Sequence, residues 1–193
     1  MTTAPKILAF AGSTREGSLN KRLIKVAAAA ARADGAEVTL IDLRDYPMHH
    51  YDGDVESNEG LPDSAVALKE LFRSHDGILI SAPEYNGGMS GMLKNTIDWM
   101  SRKGGDDTPA PVFSGKIAGL MSASPGRLGG LRGLGQLRHI LTSLGMLVIP
   151  QQRSVGGANS AFENEERLKD PDQQAAIEAI AKRVADLVRR HAD

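Results

Sequence analysis

The sequence predicts one doubly wound α/β domain built on a five-stranded parallel sheet. Three observations carry that prediction. Short apolar runs of β-like composition alternate with segments whose apolar residues recur every three or four positions, the mark of successive βα units. The chain has 193 residues, enough for one such domain across residues 1–193 and without obvious room for a second. Two of the strand-to-helix passages are rich in Gly, Ser and Asn, at the carboxyl ends of strands where open α/β sheets bind ligands.

The elements follow in order. A first strand over Lys6 to Ala11 leads into a helix whose Leu19, Leu23, Val26, Ala27 and Ala30 form one stripe; the alanine run inside it favours helix. A second strand, Glu37 to Asp42, precedes the stripe Ala65, Leu68, Leu71 and Phe72. A third, Gly77 to Ala82, precedes Leu93, Ile97 and Met100 in a helix running from Ser90 to Ser101. A fourth, Lys116 to Ser122, precedes Leu131, Leu134, Leu137, Leu141 and Leu144. The fifth strand, Met146 to Ile149, is followed at a distance by Ile177, Ile180, Val184, Leu187 and Val188. Five strands alternating with five helices suit the flavodoxin-like order 2-1-3-4-5, with helices on both faces. Arg44 to Pro62 and Pro150 to Pro171 are polar and rich in Gly, Asn and acids, and read as long loops.

Composition excludes several classes of function. With 23 Lys plus Arg against 24 Asp plus Glu, the net charge is −1 and the charges are mixed along the chain, so nucleic acid is not an expected partner. No cysteine is present, which removes thiolate nucleophiles, disulfides and thiolate metal sites; any redox chemistry must come from a bound cofactor. The N-terminal stretch "MTTAPKILAFAG" has no basic leader followed by a long apolar segment, and no window reaches membrane-spanning length. A soluble, cytoplasmic protein without a membrane partner is expected.

The passage after the first strand, "GSTREGSLNKRL", fits neither of two familiar nucleotide loops. A Walker A loop needs Lys after its second glycine, where Ser18 and Leu19 stand. A dinucleotide fingerprint needs a middle glycine, and Thr14 occupies that place. Asp42 mimics that fingerprint's ribose-binding acid, but without the glycines it reads as a strand-end cap. What remains is a hydroxyl-rich loop, Ser13, Thr14 and Ser18 with Arg15 and Asn20, entering a helix N-terminus that favours an anion. Hydroxyls and one guanidinium suit a terminal phosphate monoester. The competing reading is a plain helix cap by Ser18 with Arg15 solvated.

The passage after the third strand is "PEYNGGMSGMLKNTIDWM". Pro83 fixes the backbone, Gly87, Gly88 and Gly91 allow close approach, Tyr85 offers an aromatic surface, and Glu84 and Asn86 offer polar groups. Ser90 is placed to cap the next helix, on which Lys94 and Asp98 form an i, i+4 pair. Together with the first loop, this stretch closely resembles the NADPH-dependent FMN reductase family, with its Gly-Ser-x-Arg-x-x-Ser-x-Asn loop and its Pro-Glu-Tyr-Asn loop followed by Leu-Lys-Asn-x-Ile-Asp-Trp. "SASPGRLGGLRGLGQLRHILTSLG" and "DLRDYPMHHYDGD" are similar to further segments of that family, so the likeness covers most of residues 5–150. His49 and His50 depart from the apolar pair expected in the last of these.

The resemblance implies FMN as cofactor and NADPH or NADH as co-substrate. It places Ser13, Arg15, Ser18, Leu19 and Asn20 around the FMN phosphate, with Thr14 as a further candidate. Pro83, Glu84, Tyr85 and Asn86 would border the ribityl chain and ring, and Ser122, Ser124 and Gly126 would approach from the third loop. The cofactor would carry the chemistry, so no side chain is assigned a catalytic role. The acceptor would be a small molecule: a quinone, free flavin, azo dye or metal oxyanion. A homodimer or homotetramer is implied, with Met89, Met92 and Trp99 as an apolar face. His49 and His50 near Asp52 and Asp54 lack the spacing of a preorganised metal site, and no metal is expected. Two rivals remain: an FMN electron carrier, which near-neutral charge disfavours, and a flavin-free regulatory module on the same fold.

Overall fold

A computed structural model describes residues 4–103 and 112–191; Met1 to Thr3, the start of the N-terminal stretch discussed above, lie outside them. The principal sheet has five parallel strands, β1 (Lys6–Ala11), β2 (Glu37–Ile41), β3 (Gly77–Ser81), β6 (Ile117–Ala123) and β7 (Leu147–Val155), in the order β2-β1-β3-β6-β7. Counted among the parallel strands alone, this is the expected 2-1-3-4-5.

The helices α1 (Leu19–Ala33) and α6 (Pro171–His191) cover one face, and α3 (Asp63–Arg73), α4 (Gly91–Met100) and α5 (Leu131–Ser143) the other. Because both faces are covered, the central strands are apolar on both sides. In β1, Ile7, Ala9 and Ala11 enter the core under α1 and α6, while Leu8 and Phe10 enter the opposite one. Gly119 in β6 lets α6 lie close: a Cβ there would stand 2.8 Å from Ile180 and 2.9 Å from Val184.

The two long connections are more ordered than expected. Arg44 to Pro62 starts inside a 3-10 turn, Leu43–Asp45, and contains a short helix α2 (Gly53–Glu59). Helix α2 buries no residue, so no apolar stripe betrays it. The segment Pro150 to Pro171 begins as a continuation of β7 to Val155 and then forms a hairpin of β8 (Phe162–Asn164) and β9 (Arg167–Leu168). The fifth strand looked short because Pro150 interrupts its apolar run. Its ladder with β6 slips there, from Ala118↔Val148 to Leu120↔Gln152, and a bulge on an edge strand is where a residue without an N–H is tolerated.

Candidate flavin site

A cleft of ≈ 310 Å³ opens at the carboxyl ends of β1, β3 and β6, the ligand position of a doubly wound sheet. Its floor is held by Asn20. The Asn20 amide donates from Nδ2 to the Ala123 carbonyl, and its Oδ1 accepts from Ala123 N–H and Ser81 Oγ, each at 2.9 Å. One side chain thus joins the start of α1 to the ends of β3 and β6.

The first wall is the β1–α1 loop. Gly12 N–H donates to the Ser81 carbonyl, and the Gly12 carbonyl accepts from Ser90 Oγ, which also takes the Leu93 N–H as the cap of α4. Ser18 occupies the N-cap position of α1, yet its nearly buried side chain makes no cap bond. The plain-cap reading therefore fails. The N–H groups of Leu19 and Asn20 have no backbone acceptor among the described residues, and they face outward from a helix N-terminus. Arg15 is exposed and its guanidinium makes no hydrogen bond or ion pair among the described residues. Uncommitted donors of this kind, with a single unpaired cation, fit a phosphate.

The second wall is a tight hairpin of β4 (Glu84–Tyr85) and β5 (Gly88–Met89). Asn86 and Gly87 form its two-residue turn, both with positive φ, 52° and 82°, as Asn-Gly does in hairpins. Gly87 thus serves the turn, and neither it nor Gly88 or Gly91 lines the cleft. Pro83, Glu84 and the half-exposed Tyr85 do. The Glu84 carboxylate accepts from Arg132 Nε and Nη2 at 2.9 and 2.7 Å and from Gly133 N–H at 3.0 Å. Burial pushes its pKa up, but these bonds and the Arg132 charge win and hold it below the usual carboxylate value.

The third wall is the β6–α5 loop with Ser124, to which residues 155–160 are tied: Ser124 N–H donates to the Val155 carbonyl and Ala158 N–H to the Ser124 carbonyl.

Of the expected site residues, Ser13, Arg15, Ser18, Leu19, Asn20, Pro83, Glu84, Tyr85 and Ser124 are brought together around this one cleft. Thr14, Asn86, Ser122 and Gly126 are not among its lining. Asn86 is at the hairpin tip, and Gly126 donates to Ser124 Oγ at 3.3 Å. Ser122 is fully buried beneath Gly130, its hydroxyl without a hydrogen-bond partner among the described residues. Gly17, Ala123, Pro125 and Asn159 line the cleft unannounced. Asn159 comes from far along the chain in no recognisable motif, so only the fold reveals it.

Two neighbouring expectations also resolve. Asp42 caps the 3-10 turn by accepting from Arg44 N–H and pairs with Lys21, as a strand-end cap should. Trp99, expected on an apolar face with Met89 and Met92, is fully buried. It lies under the rings of His49 and Tyr51, at 4.9 and 5.0 Å between centroids, and donates to the His49 carbonyl. Asn95 grips the same segment through the His49 carbonyl and Tyr51 N–H. These two residues of the Leu-Lys-Asn-x-Ile-Asp-Trp stretch therefore anchor the loop after β2, and His49 packs where an apolar residue was expected.

Residues 5–160 match the model of the NADPH-dependent FMN reductase family. The chain is 35% identical over 157 residues to a quinone reductase of Escherichia coli K12, covering 81% of this chain and 80% of that one. It is 33% identical over 186 residues to an NAD(P)H-dependent FMN reductase of Pseudomonas aeruginosa, covering 96% of each. Its fold is similar to that of FerB, a flavoenzyme NAD(P)H:(acceptor) oxidoreductase from Paracoccus denitrificans, with a TM-score of 0.79 at 24% identity, over 97% of this chain and 99% of that one. The phosphate-suited loop, the aromatic wall opposite it and these likenesses agree: the chain belongs to the NADPH-dependent FMN reductase family.

Proposed function

We propose that this NAD(P)H-dependent flavin oxidoreductase holds FMN in the cleft described above and passes electrons from NAD(P)H to a quinone, working as one domain. The observation that carries the reading is the uncapped start of α1, with Ser18 and two free N–H groups, facing the Pro83–Tyr85 wall across a single cleft. Bound FMN supplies hydride acceptance from NAD(P)H and electron delivery to the acceptor.

The chain's own residues bind and orient. Ser13, Ser18, Arg15 and the free N–H groups of Leu19 and Asn20 hold the phosphate. Pro83, Tyr85 and Asn86 border the ring, with Glu84 fixing their hairpin to α5 through Arg132 and Gly133. Ser124 and Asn159 close the third side, and Thr14, Ser122 and Gly126 support these walls from behind. The quinone acceptor is inferred from the relatives so named. A homodimer or homotetramer in the cytoplasm, where NAD(P)H is supplied, completes the reading. Tyr85, Leu128 and Leu131 leave exposed apolar surface near the start of α5. No helix among the described residues is long and apolar enough to cross a membrane.

The test is anaerobic reduction. Protein loaded with FMN should lose its visible flavin absorbance on addition of NADPH or NADH and regain it on addition of a benzoquinone. Failure to bind FMN, or bleaching no faster than that of free FMN, overturns the reading.

A further inference from the structure

We propose that Arg44 is a positioning residue for phosphate binding, its guanidinium holding the Thr14 carbonyl outside the cleft so that the Thr14–Arg15 peptide keeps its N–H on the anion side. This rests on the FMN reading above and adds to it a residue outside the cleft.

The loop needs such a device. Residues 13–15 have no regular secondary structure and lie between Gly12 and Gly17, and no backbone–backbone hydrogen bond among the described residues holds that peptide. Arg44 does so from the neighbouring strand end. Its Nε and Nη2 donate to the Thr14 carbonyl at 3.0 and 2.5 Å, and Nη1 donates to Glu16 Oε1 at 2.9 Å. Lys21 Nζ reaches the same carbonyl at 3.4 Å. Arg44 is itself presented by the 3-10 turn that Asp42 caps at 3.0 Å, and the second Asp42 oxygen pairs with Lys21. A closed set of bonds thus runs from the end of β2 to the loop after β1.

The consequence follows from peptide geometry. In a trans peptide the C=O and N–H point in opposite directions, and no cis bond is present among the described residues. Holding the Thr14 oxygen toward Arg44 sends the Arg15 N–H the other way, where it donates to Ser13 Oγ at 3.3 Å. Ser13 and Arg15 line the cleft; Thr14 and Arg44 do not. Were the peptide to turn over, a carbonyl oxygen would replace an N–H beside a phosphate dianion. The fork is what matters, because two parallel donors fix a direction that a single ammonium leaves free.

The experiment measures affinities of the apoprotein for FMN and for riboflavin, which lacks the phosphate, by quenching of flavin fluorescence. Wild type should prefer FMN. Arg44→Gln and Arg44→Lys should each weaken FMN binding by about tenfold and leave riboflavin binding unchanged, which also shows that the cleft is intact. Glu16→Gln, on a solvated side chain, should change neither. Unchanged FMN affinity in Arg44→Gln overturns the proposal, as does equal loss of both flavins, which marks a general structural role. Wild-type affinity in Arg44→Lys overturns it in favour of simple long-range charge. A wild type that does not distinguish FMN from riboflavin overturns the phosphate site itself, a result separable from the others.

Discussion

Asn20 and Ala123 exchange a pair of hydrogen bonds, side-chain amide against backbone N–H and C=O, both at 2.9 Å and both buried. This makes one of the expected phosphate ligands a staple between α1 and β6, with one amide N–H uncommitted among the described residues. Replacing Asn20 by Ala leaves both Ala123 groups and Ser81 Oγ without their partner. We expect a loss of about 2–4 kcal/mol in urea unfolding and weaker FMN binding with it, since α1 loses its register against the cleft floor.

Glu84 gives the fold an acid-sensitive contact. Its folded pKa is depressed, so the stability it contributes is fully present above the unfolded value of about 4.3 and is lost as pH falls through the lower folded value. In urea unfolding, wild type should exceed Glu84→Gln in stability at neutral pH. The difference should shrink below about pH 5 and vanish once both states bind the proton.

Gly130 cannot carry a side chain. Its φ is +96°, and a Cβ there would stand 1.9 Å from the buried Ser122 Oγ. Gly130→Ala should cost at least about 2 kcal/mol. Gly135, inside α5 with nothing within 4 Å of a Cβ, is the control: Gly135→Ala should stabilise by about 0.5–1 kcal/mol. Thermal unfolding of the two variants checks both signs.

Tyr85 is 52% exposed, so Tyr85→Ala should change stability by no more than about 0.5 kcal/mol. Flavin affinity should nevertheless fall by about three- to tenfold, the worth of one aromatic contact. Titration with FMN beside a urea curve separates the two effects.

The sheet was legible because buried parallel strands are apolar on both faces, as Ile7 to Ala11 shows, and because each covering helix carries a regular stripe. Helix α2 was not, since it buries nothing. The end of β7 was masked by Pro150. At the site, local chemistry was legible and long-range partnership was not. Ser18 and Arg15 announced an anion, but whether Ser18 would cap its own helix depends on backbone geometry. The Asn-Gly pair at 86 and 87 carried a hairpin signal as well as the ligand signal read from it. Asn20 was visible as a loop residue, while its partners Ser81 and Ala123 are 61 and 103 residues away. Arg44 reaches Thr14 across 30 residues, a contact that no spacing rule encodes.

The most direct measurement is a crystal structure of the protein grown with FMN. The phosphate should lie within hydrogen-bond distance of Ser18 and the N–H groups of Leu19 and Asn20, with Arg15 beside it and the ring against Pro83 to Tyr85. Density for FMN elsewhere, or an empty cleft at saturating FMN, would contradict the assignment.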